Sequence, residues 1–409
     1  MELKTNYQYS YFIYPFAIKE ENYKRYIKNL IKNKKFKIKF FDYFKDVELY
    51  KYFVPTVKQD FFQDFSFDKE KINKFNKLSY GQQIKILENQ NCLIFEYLLK
   101  KQIQGKIEEK DGIFFTIPKI ELICINTGIC FLSIKTHLEE TNNFSDILNF
   151  NYKFNNIKLE NKNIKKIKDI KIQTDMFENM TEISSIIEEI TGKKIEGRKL
   201  DIDEDLFLTY TYVCIEANQW NNENSFENIE NEFVKLAEVK KSNTNINVDY
   251  EKLSVLTNSS FMKIRINDKC AAVICSSADV SNYTVLPELY ENQYFYTYIL
   301  ALHQRYYLKK LNRDFDFKTE NTIKKFIKFT NTLWISEITS NSFGQKFYKR
   351  CKEKLNLEEL FAQVKTKYDI YYKKLNIEKN RVKENTILIA TVMCLLIGVA
   401  NFISWLFVK

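Results

Sequence analysis

The sequence predicts an α+β protein with three parts: a cytosolic α/β domain, long stalk helices and one C-terminal transmembrane helix. Residues 1–286 alternate between strand-like and helix-like segments. After Pro287 there is no further proline, and apolar residues recur at helical spacing. Residues 386–408 carry no charge and match the length that a helix needs to cross a bilayer.

The first elements follow from local patterns. "QYSYFIYPFAI" and "KFKIKFF" predict strands, and "EENYKRYIKNLIKN" between them predicts an amphipathic helix. The clearest hairpin is "IFFTIPKIELICINTGICFLSIKTHL", whose turn Asn126-Thr127-Gly128 suits positive φ. "SDILNFNYKFNNI" predicts a helix with Ser145 as its N-cap.

The composition then changes. Residues 149–173 are dominated by Asn, Lys and Ile, which we interpret as a surface segment or a joint between subdomains of the 1–286 domain. Strands are predicted again at "LFLTYTYVCIEA" and "FMKIRINDKCAAVICSS", with a turn at Asn267-Asp268. A polar insertion, "NQWNNENSFENIENEF", separates these two strand regions.

Residues 287–385 predict a helical stalk. Apolar residues recur there at steps of four and three: Leu357, Phe361, Val364, Tyr368, Tyr371, Leu375 and, after a break at Glu378, Val382. No helix breaker follows, so one helix of about 80 Å is expected from near Leu355 to Val408. Such a seam must pack on preceding helices, on copies of itself, or on both, and we expect a homo-oligomer with parallel stalks.

The flanks of residues 386–408 set the expected orientation. One basic residue, Lys409, follows this run, whereas five precede it: Lys373, Lys374, Lys379, Arg381 and Lys383. Positive residues stay on the cytoplasmic side, so the sequence predicts a single-pass, tail-anchored protein with residues 1–385 in the cytosol.

Composition narrows the function classes. The net charge of +10 would suit nucleic acid or an anionic membrane surface, but lysine is spread over the whole chain. We therefore expect solvated lysines and a membrane-proximal basic collar, with no direct nucleic-acid binding. The eight cysteines form no C-x-x-C pair and the chain has two histidines, which disfavours a metal site.

Catalytic signatures are missing from the sequence. It contains no phosphate-loop, dinucleotide-binding, H-E-x-x-H or G-x-S-x-G pattern, so we expect neither an enzyme nor a bound cofactor. The acidic residues Asp201, Asp203, Glu204 and Asp205 would suit a divalent cation. A solvated loop is the favoured interpretation, because the glycine and final glutamate of an EF-hand are missing.

One stripe of the predicted span carries small and polar residues: Thr391, Cys394, Gly398, Asn401 and Ser404. Small residues let helices approach closely, and an asparagine in hydrocarbon needs a hydrogen-bond partner. The stripe therefore forms either a helix-packing face between protomers or the lining of a pore.

The helix after Pro287 carries the candidate ligand contacts His303, Arg305, Tyr306 and Lys309. It joins the β-rich region to the stalk, and an arginine can bind a phosphate group with two hydrogen bonds. The competing interpretations are a core histidine and an arginine paired with an acidic neighbour.

The C-terminal third resembles the CorA-like family of bacterial membrane proteins. The residues that carry the resemblance are "YFYTYILALHQRYYLKKL", "FTNTLWISEITSNSFGQKFYKRCKEKLNLEELFAQVKTKYDIYYKKL" and "ENTILIATVMCLLIG", within about 120 C-terminal residues. The resemblance implies a ring oligomer, by analogy a pentamer, in the bacterial inner membrane.

Two features depart from the family's transporters. Those end in two membrane helices joined by a Gly-Met-Asn signature, whereas this sequence has one predicted span and no Gly-Met-Asn. The chain is more similar to a divergent CorA-like branch associated with antiviral defence and type III CRISPR systems. That resemblance implies a cytosolic domain that senses a nucleotide second messenger and a membrane part that injures the membrane.

Three functions remain open from the sequence. The first is a ligand-gated effector that causes ion leakage or membrane disruption. The second is a divalent-cation transporter, which the missing signature disfavours. The third is a tail-anchored scaffold that conducts nothing.

Overall fold

A computed structural model describes residues 2–41, 44, 46–62, 68–99, 102–107, 113–139, 141–157, 171–174, 177–192, 206–246, 255–315 and 320–407. These residues form a mixed α/β protein. It has an N-terminal sheet domain and a long C-terminal helix.

The described strands are β1 (Thr5–Ala17), β2 (Phe36–Ile38), β3 (Cys92–Tyr97), β4 (Ile103–Ile107), β5 (Ile113–Ile125), β6 (Ile129–His137), β7 (Lys171–Thr174), β8 (Phe177–Thr181), β9 (Leu208–Ile215), β10 (Met262–Ile266) and β11 (Cys270–Ser276). They form one sheet in the order β10-β11-β9-β1-β6-β5-β4-β7-β8, and β3 and β2 extend from β5 on a side branch. Among these pairings, β9 with β11 is parallel and the others are antiparallel.

The described α-helices are α1 (Glu20–Lys32), α2 (Val47–Tyr52), α3 (Pro55–Phe61), α4 (Lys69–Asn76), α5 (Tyr80–Leu87), α6 (Phe144–Phe154), α7 (Ile183–Thr191), α8 (Glu230–Ala237), α9 (Ser281–Thr284), α10 (Leu286–Leu289), α11 (Phe295–Arg313), α12 (Glu320–Thr332), α13 (Ser342–Lys354) and α14 (Leu357–Phe407). A 3₁₀ helix spans Glu223–Asn228, and a π-helical turn, Tyr290–Tyr294, joins α10 to α11.

Both faces of the sheet are buried, and β1 shows how. Successive side chains of a strand point to opposite faces. Tyr9, Tyr11 and Ile13 therefore enter a core beneath α2, α3, α11 and α13, while Phe12 and Tyr14 enter a second core beneath α1 and α6 to α8. The sheet is the middle layer between two helical layers, which explains why its strands are almost continuously apolar.

The predicted central hairpin is confirmed as β5 and β6, with its turn at Asn126–Gly128. Gly128 has a φ of 82°, and a Cβ built on it would lie 2.1 Å from the carbonyl oxygen of Ile18. The backbone N–H of Ile18 donates to the Gly128 carbonyl at 2.7 Å. Glycine is required here because the chain approaches closely and adopts a left-handed conformation.

Other local predictions hold with adjusted boundaries. The first strand, the helix after it, β9 and the β10–β11 hairpin are confirmed. The predicted Ser145 cap is wrong, because α6 begins at Phe144 and Asn143 occupies the N-cap position. The central part of the predicted joint, 158–170, lies outside the described residues.

The polar insertion is folded rather than peripheral. Trp220 in this segment is fully buried, and its ring lies 4.8 Å from that of Phe226. The Trp220 carbonyl accepts a hydrogen bond from the Ser276 hydroxyl at 2.5 Å. The insertion therefore helps to cover β11 on one face of the sheet.

The C-terminal helix forms as the sequence predicts. Helix α14 spans 51 residues, Leu357–Phe407, which corresponds to about 75 Å. Among the described residues, it is the one helix long and apolar enough to cross a membrane.

The first part of the α14 seam packs within the chain. Tyr368 stacks on Phe326 at 4.5 Å, and Phe361 stacks on Trp334 at 4.4 Å. Val364 and Tyr371 are buried, whereas Val382 is 64% exposed. The chain's own helices thus cover the seam as far as Tyr371, and the part beyond it is free to meet another surface.

Substitution of Tyr368 should loosen α14 from the body of the protein. Tyr368→Ala removes a 96% buried ring, so we expect the free energy of unfolding to fall by about 3 kcal/mol. Tyr372→Ala is the matched control, because Tyr372 lies on the same helix and is 56% exposed. Thermal unfolding of the detergent-solubilised proteins measures the difference, and equal losses in the two variants would contradict the packing described here.

Candidate functional site

In the part of the chain that the structure describes, a concentration of buried charge lies between the sheet and the π-helical turn. We call it the ionic cluster, and its members are Lys39, Lys119, Glu121, Lys135 and Glu291. Lys119 and Glu121 come from β5, Lys135 from β6, Lys39 from the segment after β2, and Glu291 from the π-helical turn.

Strand register creates the need for this cluster. Lys119 on β5 lies opposite Lys135 on β6, and Glu96 on β3 lies opposite Glu121 on β5. Like charges directly opposite each other destabilise a sheet. Lys119 and Glu121, both on β5, compensate each other in part at 3.4 Å, and further counter-charges come from outside these strands.

Two side chains supply the counter-charges from other elements. Glu291 accepts from Lys135 at 2.6 Å and from Lys119 at 3.4 Å. Lys39 donates to Glu121 at 2.8 Å and to the Tyr296 hydroxyl at 2.9 Å. The Tyr11 hydroxyl also donates to Glu291, at 2.6 Å.

The environment keeps both carboxylates ionised. Burial alone would raise the pKa of Glu291, but Lys119, Lys135 and the hydrogen bonds from Lys135 and Tyr11 lower it to about 2. Burial acts on Glu121 in the same direction, and Lys119 and Lys39 overcome it, so the pKa of Glu121 is also lowered. The cluster is a charged network at neutral pH.

One acceptor in the cluster is left without a partner. Glu121 is 1% exposed, and its Oε2 accepts no hydrogen bond from the described residues. A buried charged oxygen without a donor is costly, which makes this atom a position where a bound group would gain a hydrogen bond.

The π-helical turn is held against the sheet by tyrosines. Tyr210 donates to the Tyr290 carbonyl at 2.6 Å, and Tyr9 donates to the Pro287 carbonyl at 2.8 Å. Insertions of this type within helices are frequent at functional sites. Glu291 is thus carried by a π-helical turn, whereas Lys119 and Lys135 stand on strands of the sheet, with Lys119 next to a register shift in the β5–β6 pairing.

The sequence analysis did not identify this cluster. A signal was present, because the apolar runs "IPKIELICI" and "FLSIKTHL" contain Lys119, Glu121 and Lys135. The two residues of β5 are two positions apart and therefore share one face of the strand. The partnership with Glu291 could not be read from the sequence, since it joins segments 156 residues apart.

The four residues proposed on α11 do not converge on one point. The Nε2 of His303, which is fully buried, lies 2.9 Å from the Thr127 hydroxyl at the β5–β6 turn. Arg305 donates to the Asp268 carbonyl at 2.7 Å, at the β10–β11 turn. Tyr306 is buried against Phe131, and Lys309 is partly buried.

The polar stripe of the span faces outward from the single chain. Thr391, Cys394, Gly398, Asn401 and Ser404 are all exposed. A Cβ built on Gly398 would meet no atom within 4 Å, and the Thr391 hydroxyl donates to the Ile387 carbonyl at 2.9 Å. The stripe is therefore available to another helix or to a pore.

Metal ligands do not cluster in the part of the chain that the structure describes, where no group of three or more His, Cys, Asp or Glu could hold an ion. The acidic residues Asp201, Asp203, Glu204 and Asp205 lie outside the described residues.

No protein-family model, no curated protein and no solved structure matches the chain. The CorA-like resemblance accordingly stays a prediction from the sequence.

The burial of His303 predicts a specific pH dependence. Burial and the nearby Lys310 lower the pKa of His303 to about 3, so the folded protein keeps it neutral while the unfolded chain protonates it near pH 6.5. The stabilisation is present above pH 6.5 and is lost as the pH falls towards 3. We expect the wild type to lose about 1 kcal/mol more per pH unit than His303→Gln between pH 6 and 5.

Chemical denaturation at several pH values measures this difference. His137, whose pKa burial also lowers, is present in both proteins and cancels in the comparison. Parallel pH profiles for the two proteins would show that His303 is not held neutral.

Proposed function

We propose that this chain is a CorA-like membrane effector, in which the sheet domain senses a small anionic ligand and the C-terminal helix converts binding into ion leakage or membrane disruption. The role that the family resemblance implies for such a protein is antiviral defence, with a nucleotide second messenger as the ligand. The observation that carries the proposal is α14, one unbroken helix of 51 residues. Its first part is buried in the sheet domain's core and its last part is apolar enough to cross a membrane.

The helical continuity supports mechanical coupling. Helix α11 lies on the sheet next to the ionic cluster, and it packs directly against α14. An α-helix transmits a shift along its axis because each turn is hydrogen-bonded to the next. A change at the cluster therefore has a short route to the span.

The span supports an assembly around a polar axis. Burying a lone asparagine in hydrocarbon costs free energy. This cost falls if the exposed stripe that contains Asn401 packs against the same stripe of another copy or faces water. In the proposed arrangement, the protomers form a ring, by family analogy a pentamer. The sheet domains lie in the cytosol and the spans cross the bacterial inner membrane.

Selective divalent-cation transport is the weaker alternative. The Gly-Met-Asn signature of CorA transporters is missing from the 409 residues. A non-conducting anchored scaffold is the other alternative, and flux measurements separate it from the effector.

Asn401→Leu distinguishes a pore lining from a packing face. If the stripe lines a pore, an apolar ring replaces a polar one, and K⁺ release from liposomes should fall while the oligomer mass stays unchanged. If it only packs, the loss of interhelical hydrogen bonds worth roughly 0.6–2 kcal/mol each should loosen the oligomer. Ion flux and mass in detergent are measured on the same preparation.

Ala400→Leu is the matched control, since it introduces the same side chain about 100° away around the helix. The control should retain wild-type flux. A strictly monomeric wild-type protein, or one that releases no ions from liposomes and does not impair growth on overexpression, would reject the effector.

Orientation is tested separately. Five basic residues lie at 373–383, just before the span, so the sheet domain should be cytosolic. Protease added to inside-out vesicles should digest the sheet domain, and the same protease should leave it intact in right-side-out vesicles. Protection in the inside-out vesicles would overturn the orientation.

A further inference from the structure

Three donors converge on the carboxylate of Glu291, as they would on a bound anion. They are the Lys135 ammonium at 2.6 Å, the Tyr11 hydroxyl at 2.6 Å and the Lys119 ammonium at 3.4 Å. All three stand on neighbouring strands of the sheet, so the sheet and not Glu291 sets their backbone positions. Ammonium groups bind carboxylate and phosphate oxygens by the same charge-assisted hydrogen bonds.

The carboxylate, in contrast, is carried by a separate element. Glu291 belongs to the π-helical turn and not to the sheet. The side chains of Glu291, Lys119 and Lys135 are 20%, 25% and 15% exposed, so solvent reaches this part of the cluster. An anion from solution can therefore compete with Glu291 for the same donors.

Glu121 adds a requirement for a proton on the incoming anion. Its Oε1 lies 3.4 Å from the Lys119 ammonium, and its Oε2 is buried without a donor. An oxyanion without a proton would meet this carboxylate with repulsion, whereas an oxyanion that carries an O–H group would donate to it. At neutral pH, hydrogen phosphate carries such a proton and sulfate does not.

We propose that the sheet binds hydrogen phosphate, or a small ligand bearing such a group, on Lys119, Lys135 and Tyr11 in place of Glu291, with an O–H donated to Glu121. Release of Glu291 removes the Tyr11, Lys119 and Lys135 contacts that help to hold the π-helical turn, which precedes α11, against the sheet. This inference rests on the proposed sensor function for its biological meaning, but the binding chemistry stands on the cluster itself.

The test uses the full chain in detergent and inorganic phosphate and sulfate as probes. Calorimetric titration at pH 7 and constant ionic strength should show phosphate binding about tenfold or more tighter than sulfate, the effect expected of one hydrogen bond to a charged group. Lys135→Met should abolish phosphate binding. Lys310→Met is its matched control. Lys310 lies outside the cluster and pairs with Glu20 at 2.9 Å, so this substitution should leave the phosphate affinity unchanged.

Two glutamate variants separate a binding site from a purely structural ion network. Glu291→Gln removes the internal competitor and should tighten phosphate binding by about tenfold, since a larger fraction of the protein is then competent to bind. Glu121→Gln should abolish the preference for phosphate over sulfate. A structural network predicts neither change.

The comparison of phosphate with sulfate uses the wild-type protein, so its outcome does not depend on whether a variant folds. Equal affinity for phosphate and sulfate, or no phosphate binding by either the wild type or Glu291→Gln, would overturn it. Phosphate binding by a protein that releases no ions from liposomes would instead reject the proposed function and keep the site. Ion release without phosphate binding would reject the site alone.

Discussion

Burial of a tyrosine-rich sheet face is the constraint on which this architecture depends. Tyr9, Tyr11, Tyr210 and Tyr212 point to one side of the central strands, and each is almost fully buried. A buried hydroxyl needs a hydrogen-bond partner. These four hydroxyls donate to the segment that contains α9, α10 and the π-helical turn. Their acceptors are the carbonyls of Asn282, Pro287 and Tyr290 and the carboxylate of Glu291. The segment that leads into α11 is therefore held by hydrogen bonds in addition to apolar contact, and α11 in turn holds α14.

The ionic cluster brings buried charge into a layer that is built mainly from apolar and neutral polar side chains. Buried ion pairs contribute little net stability, because the desolvation of the charges offsets their attraction. The two cross-strand pairs of like charge make the cluster less stable than an apolar core at the same place. The cluster also leaves one Glu121 oxygen without a hydrogen bond. Sites of this kind, where burial and charge partners perturb pKa values, are candidates for function. We therefore propose that the cluster recognises the ligand and that the helices beside it transmit the change.

Periodicity and turn chemistry were sufficient to predict much of the fold. The β5–β6 hairpin followed from its alternation and from Gly128, and α14 followed from the lack of any helix breaker before an uncharged run. The sequence could not show what covers the α14 seam, because Phe326 and Trp334 come from other helices. The candidate site escaped prediction for the same reason: Lys119 and Lys135 meet Glu291 only after the strands are in register and the helical layer has docked. Trp220, in a segment of mostly polar residues, was missed because one buried ring does not form a pattern.

We propose that the ionic cluster and the C-terminal helix α14 are coupled through one helical layer. Hydrogen exchange of the full chain, compared between Glu291→Gln and Glu20→Gln, tests it most directly. Glu20 is an appropriate control because it pairs with Lys310 and Lys325 outside the cluster. The account predicts that Glu291→Gln accelerates amide exchange in the π-helical turn and also in the buried part of α14, from Leu357 to Tyr371, while Glu20→Gln leaves that part of α14 at the wild-type rate. Faster exchange confined to the turn, with α14 fully protected, would contradict the coupling.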